Sequence, residues 1–197
     1  MPDPADPISV QATGAVAVGA ADEVLARPAA LGATRLLAID GPAGAGKTTI
    51  ANAVAAALAD RGCRVDVLRL DDMYDGWDGL DPALERRVWT QVLQPLGSGR
   101  VARWQAYDWH AGAFGEWHEL GPGDVLVLEG CGAGACRYAP YTTLLVWVEA
   151  PADVRAHRLA VRDADVSAPQ WAAWAAAEQR TFAANDTRAR AHLRVRT

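Results

Sequence analysis

Eight consecutive residues constrain this chain more than any others: Gly41-Pro42-Ala43-Gly44-Ala45-Gly46-Lys47-Thr48. They fit G-x-x-x-x-G-K-[ST], the P-loop pattern that cradles phosphate. The flanks fit too. Arg35 to Asp40 reads as a buried strand, and Thr48 to Asp60 as an alanine-rich helix. Strand, glycine loop and helix is the arrangement the pattern needs. The glycines let successive backbone N–H groups turn to one point, and the helix start adds partial positive charge. Gly41, Ala43, Gly44, Ala45, Gly46, Lys47, Thr48 and Thr49 are therefore the expected nucleotide-binding residues. Lys47 reaches for the outer phosphates, and the Thr48 hydroxyl takes Mg²⁺. Lys47 is also the only lysine in the chain. A P-loop needs a compact point charge on a thin stem, which a planar guanidinium does not replace.

Composition narrows what surrounds this motif. A chain of 197 residues, half of them hydrophobic, is expected to be one globular domain. A net charge of −5 argues against a nucleic-acid partner. Three cysteines without a C-x-x-C pair suggest neither a disulfide framework nor a zinc site. No stretch has the length of a membrane span and no signal peptide is visible, so the expected location is the cytoplasm and no membrane partner is expected. The sequence neither requires nor excludes a homo-oligomer.

Residues 1–13 read as a loose tail, and 14–197 as a single domain. Val16 to Leu31 has a helical look limited by Pro28. Arg64 to Leu70 reads as a second strand, ending in Asp71-Asp72-Met73-Tyr74. Asp81-Pro82 has the form of an N-cap with proline at the first helical position, opening a helix to Leu96. Residues 101–120 read as a hairpin-like excursion rich in aromatics. Val125 to Glu129 and Leu144 to Glu149 are apolar runs typical of buried parallel strands. A helix follows Pro151, another runs from Pro169 to Asn185 with Ser167 as cap, and Leu193 to Val195 reads as a last short strand. Strands alternating with helices imply an α/β fold: a P-loop NTPase three-layer sandwich with a parallel sheet of about five strands.

A P-loop says nucleotide; acids at other strand ends say what is done with it. Glu129 ends an apolar strand and is the expected carboxylate partner of Mg²⁺, as a Walker B acid is. Asp71 and Asp72 are candidates for a base, because transfer to a hydroxyl needs a carboxylate to orient it and accept its proton. Adjacent carboxylates cannot both face one point, and the spacing leaves open which does. Trp77, Trp104, Trp109 and Trp117 suit either stacking on a ligand or local packing. Trp171 and Trp174 read as packing, and Arg155 and Arg158 as a helix face.

In order and approximate spacing, Ala38–Asn52, Leu70–Tyr74, Tyr107-Asp108-Trp109, Leu128-Glu129-Gly130 and Arg155–Asp163 resemble the uridine kinase family of P-loop kinases. The resemblance implies an ATP- and Mg²⁺-dependent kinase acting on a hydroxyl of a small-molecule acceptor, a nucleoside first of all. It implies Asp71 as the base, with Asp72 beside it, and Tyr74 lining the acceptor site. Asp78, in preference to Asp81, would bind sugar hydroxyls. Tyr107, Asp108 and Trp109 would lie near the base, and Arg162, in a lid over residues 155–170, would clamp phosphates. Two departures touch the acceptor: the family histidine falls at Gly112, with His110 two residues earlier, and Ala164 to Pro169 lacks the further lid arginines. The alternatives are a nucleoside monophosphate kinase, which needs arginines around the acceptor, and a nucleotide-binding regulatory protein with little turnover.

Overall fold

The computed structural model describes residues 10–197 and is built on five parallel strands. In chain order the strands and helices are α1 (Val10–Leu25), β1 (Arg35–Asp40), α2 (Lys47–Ala59), β2 (Val65–Arg69), α3 (Pro82–Val88), α4 (Gln94–Gly97), β3 (Ala102–Asp108), β4 (Ala113–Leu120), β5 (Val125–Glu129), β6 (Thr142–Glu149), α5 (Ala152–Arg162), α6 (Ala168–Asn185), α7 (Thr187–Arg190) and β7 (Leu193–Arg196). The parallel sheet runs β2-β5-β1-β6-β7, and β3 and β4 form a separate antiparallel hairpin.

Alternation along the central strands makes three layers. In β1, Leu37 and Ile39 face the core shared with α1 and α2, alongside Val125, Val127, Leu144 and Val146. Leu36 and Ala38 face the opposite core, with Leu126, Leu128, Leu84, Val88 and Tyr138. Both faces of β1, β5 and β6 are therefore covered, which is why these strands read as continuous apolar runs rather than alternating ones. Fully burying each such aliphatic side chain is worth about 1.5–3 kcal/mol.

The α3 segment follows its sequence signals. The Asp81 carboxylate accepts from the N–H groups of Ala83 and Leu84 at 2.8 and 3.0 Å, and Pro82 sits at the first turn. Leu84, Val88, Val92 and Leu96 are all buried. Trp89–Leu93 forms a π turn before α4. Pro95, which has no N–H to continue an α-helical ladder, follows that turn.

The N-terminal segment differs from expectation. Helix α1 begins at Val10, inside the stretch read as a tail, and stops at Leu25 rather than Leu31. Pro28 bars continuation, and the residue before a proline is pushed out of the helical region as well. Residues 1–9 of the expected tail lie outside the described residues. No helix among the described residues is long and apolar enough to cross a membrane.

Strand order places the site. The chain leaves β1 towards β2 on one side and leaves the neighbouring β5 towards β6 on the other, so a crevice opens at the carboxyl ends of β1 and β5. Register pairs Glu129 of β5 with Ile39 on one side and Arg69 on the other. Glu129 thus ends between the P-loop and the Asp71 turn.

Candidate active site

The P-loop leaves β1 through Gly41, whose φ is 147°. A Cβ there would strike the Val148 carbonyl, so the β1–β6 approach demands glycine. Gly44, with φ 75°, is closed in by α5: a Cβ would come within 2.8 Å of the Arg155 carbonyl oxygen.

Side chains hold the loop's carbonyls one after another. Lys47 Nζ donates to Pro42 O at 3.0 Å, and Arg155 donates to Ala43 O at 3.2 Å. Arg158 donates to Gly44 O at 3.2 Å, and the Thr197 hydroxyl donates to Ala45 O at 2.9 Å. The N–H groups of Gly41, Ala43 and Ala45 are given to Asp40, Glu178 and Pro42 O, which leaves those of Gly44, Gly46 and the α2 start for an anion. The α2 start has left-handed Gly46 as N-cap and no side-chain cap, so nothing of the protein's own competes there.

Two buried acids brace the loop from behind. Glu178 of α6 accepts from the Ala43 N–H at 2.7 Å, from Trp174 Nε1 at 2.9 Å and from the Cys131 thiol at 3.1 Å. Asp40 accepts from the N–H groups of Gly41, Gly132 and Gly134 at 2.7, 3.0 and 2.8 Å. It thereby ties the P-loop to the loop after β5. Complete burial pushes the Asp40 carboxyl up to about 6, against the pull of those three bonds and of Lys47. Burial also works against the Lys47 ammonium, yet the Cys131, Glu129, Glu178 and Asp40 groups around it hold its pKa above the ordinary value.

Thr48 and Glu129 meet as a metal site requires. The Thr48 hydroxyl lies 3.3 and 3.2 Å from the two carboxylate oxygens of Glu129. Burial raises the Glu129 pKa, with Lys47 opposing the rise. A hydroxyl and a carboxylate beside a phosphate cradle are hard oxygen donors, the set Mg²⁺ takes when phosphates and water complete its shell. The residues present fit that ion.

Beyond them the cavity opens to about 240 Å³. Ala43, Gly44, Lys47, Thr48, Asp71, Tyr74, Trp109, Glu129 and Arg162 line it, so residues from five separate parts of the sequence converge. Gly46 and Thr49 line an adjoining recess with Arg158 and Arg162. Asp71 opens the short turn after β2, and the Trp109 indole N–H donates to its carbonyl at 2.9 Å, fastening the hairpin tip to the strand end. Tyr74 is buried, its hydroxyl donating to Cys131 O at 3.0 Å. Arg162 pairs with its neighbour Asp163 at 2.8 Å, and that hydrogen-bonded pairing raises its pKa.

Other expected residues stand elsewhere. Asp72 is half-buried and does not line the cavity; burial, then the Asp71 charge, raises its pKa. Asp78 lines a different, 490 Å³ cavity between α3 and α6. Asp108 spends its carboxylate on the N–H groups of His110 and Ala111 at 2.9 and 3.0 Å, which lowers its pKa. Tyr107 packs edge-on against Trp109 and Phe114, and His110 is exposed at the hairpin turn.

Sequence reasoning missed Asp40, Cys131, Asp163 and Glu178, and it read Trp171 and Trp174 as packing. Trp171, Trp174 and Glu178 do carry a signal: positions i, i+3 and i+7 share one face of α6. That face looks onto the P-loop. Arg155 and Arg158, read as a helix face, instead hold P-loop carbonyls.

Known proteins agree with this architecture. A family model described as an AAA domain matches residues 37–171. The fold is similar to that of a possible uridine kinase from Bacillus stearothermophilus, with TM-score 0.69 and 20% identity over 92% of this chain and 97% of that one. It is also similar to a candidate fructose transport system kinase from Silicibacter sp. TM1040, with TM-score 0.62 and 21% identity over 90% and 98%. No curated protein matches the sequence. At these identities the likeness establishes the fold, an α/β P-loop sandwich as the sequence implied.

Proposed function

The chain belongs to the AAA-domain family of P-loop proteins, and from that premise we propose that it is a kinase transferring the terminal phosphoryl group of ATP to a hydroxyl of a small molecule. One observation carries the reading. Lys47, Thr48, Glu129 and Asp71 line a single cavity, with the Thr48 hydroxyl against the Glu129 carboxylate.

Each residue then has a physical task. The P-loop N–H groups and the α2 N-terminus bind phosphate oxygens. Lys47, freed from Pro42 O, supplies a fixed positive charge beside them. Thr48 and Glu129 hold Mg²⁺, which when bound neutralises phosphate charge. Asp71 orients the acceptor hydroxyl and takes its proton. Arg162 faces the charge that spreads over the moving phosphoryl group.

The finer expectation, a nucleoside acceptor, draws support from the aromatic walls and from the resemblance in sequence. Asp78 and His110, the residues meant to read such an acceptor, lie outside the cavity lining. A phosphate-bearing acceptor has less support, since among the described residues Lys47 and Arg162 are the only cations lining the cavity and both serve the donor. Location in the cytoplasm is an expectation of the sequence, which leaves the oligomeric state open.

The test is incubation of the purified protein with Mg-ATP and a panel of nucleosides, nucleoside monophosphates and small alcohols. The expected result is ADP together with a phosphorylated alcohol of matching amount. ATP binding without a phosphorylated product from any member of the panel would leave a nucleotide-binding protein rather than a kinase.

A further inference from the structure

The acceptor end of the cavity is walled by indoles and acids. Trp77, Trp109, Trp171 and Trp174 all line it. Trp77 stands 5.8, 5.2 and 5.9 Å from the ring centres of Trp109, Trp171 and Trp174, with planes inclined at 72°, 84° and 87°. Trp77 therefore meets each of the other three as an adjoining wall rather than as a parallel plate. Asp71 and Asp163 line the same space. Arg162 and Asp163 pair with each other, while Asp71 takes part in none of the ion pairs among the described residues. This end is therefore walled by indole rings and carries net negative charge.

A nucleobase suits such walls poorly. It needs donors and acceptors along its edge, whereas at Trp77 a flat base stacked on one ring meets the next edge-on, and the acids offer acceptors alone. The space is small as well. Pockets for drug-sized ligands run roughly 300–1,000 Å³, and this cavity of about 240 Å³ also takes the transferred phosphoryl group. A compact cation is the reverse case. It needs no parallel plates: it is attracted to any ring face within reach, whatever the rings' mutual angle, and to a carboxylate lining the same cavity.

We propose that the acceptor is a small alcohol carrying a positive charge, an amino or quaternary ammonium alcohol, seated with its cationic head in the tryptophan box and its hydroxyl at Asp71. The proposal rests on the kinase reading above. In the reaction the acceptor oxygen forms a bond to the terminal phosphorus of ATP, the bond from that phosphorus to the bridging oxygen breaks, ADP leaves, and the hydroxyl proton passes to Asp71 and on to solvent.

The experiment uses the full chain with Mg-ATP, choline and ethanolamine as charged probes, 3,3-dimethylbutan-1-ol as the uncharged match to choline, and uridine. Binding is read from tryptophan fluorescence and turnover from ADP release. The expected result is that a charged probe binds at least about 10-fold tighter than 3,3-dimethylbutan-1-ol, consistent with desolvated cation–π contacts, and stimulates ADP release. Trp109→Leu, which removes one ring and its bond to the Asp71 carbonyl, reduces this preference. Trp109→Phe, which keeps a ring face but loses the N–H to the Asp71 carbonyl, retains more of it. Equal binding of choline and its uncharged match, or preferential turnover of uridine, overturns the cationic acceptor and leaves the kinase standing. Charge-selective binding with no ADP release from any probe overturns the kinase and leaves the cation box standing.

Discussion

At the phosphate end, carbonyls 42–45 each accept a side-chain hydrogen bond, and Glu178 and Asp40 brace the loop from below. At the acceptor end, rings touch rings, and one indole bond from Trp109 to the Asp71 carbonyl ties the hairpin down. The contrast follows from what each end must do. A triphosphate is the same for every kinase, and its charge punishes misplaced dipoles, so the backbone is fixed by directional bonds. An acceptor varies, and apolar packing re-forms around a changed side chain more readily than a hydrogen-bond network does.

If the two ends are separable, substitutions at each must fail differently. The largest effect is expected at Asp71→Asn: loss of a positioned base lowers kcat by about 10²–10⁴-fold, while ATP affinity by calorimetry stays within about twofold of the starting protein. Lys47→Ala comes next, with turnover down by about 10²–10³-fold. Here ATP affinity falls as well, and an unchanged ATP affinity would break the comparison from the phosphate side.

Stability separates the ends too. Glu178→Ala strands the Ala43 N–H and the Trp174 indole N–H, while the Cys131 thiol keeps the Gly41 carbonyl as acceptor; the cost is about 3–4 kcal/mol, measurable by urea unfolding. A loss below about 1 kcal/mol would mean that water replaces the carboxylate, and the brace would not be what holds the loop.

The smallest effect concerns pH. Asp40 has its carboxyl pushed up to about 6 in the folded protein, above the ordinary 3.8. The folded state therefore holds its proton longer than the unfolded chain does. Stability from this group is full below pH about 4 and is lost as pH rises through about 6, by no more than about 3 kcal/mol. Asp40→Asn, which cannot titrate, should lack that fall. Parallel stability curves for the two proteins between pH 4 and 7 would contradict the buried-acid account.

What could be read from the chain divides along the same line. The P-loop is local: contiguous residues fix the turn, the cradle and the helix start, so Gly41–Thr48 needed no tertiary information. Glu129 and Asp71 were readable because an acid closing an apolar strand has one place to go in a parallel sheet. The acceptor end was not readable in that way. Its rings come from the Trp77 turn, the hairpin tip at Trp109 and the α6 face bearing Trp171 and Trp174, and only the folded chain brings them together. An apolar helix face has the same periodicity whether it meets a core or walls a cavity, hence the reading of Trp171 and Trp174 as packing. Asp78 was misplaced for a related reason: its direction is set by the short turn Gly76–Asp78 against α6, which leaves no periodic trace.

One experiment reaches the central claim most directly: Mg-ATP affinity and transfer to an accepted alcohol, measured side by side in the unaltered protein, Asp71→Asn and Lys47→Ala. The account predicts that Asp71→Asn binds Mg-ATP normally and transfers almost nothing, while Lys47→Ala is impaired in both. Transfer by Asp71→Asn at the rate of the unaltered protein would contradict it.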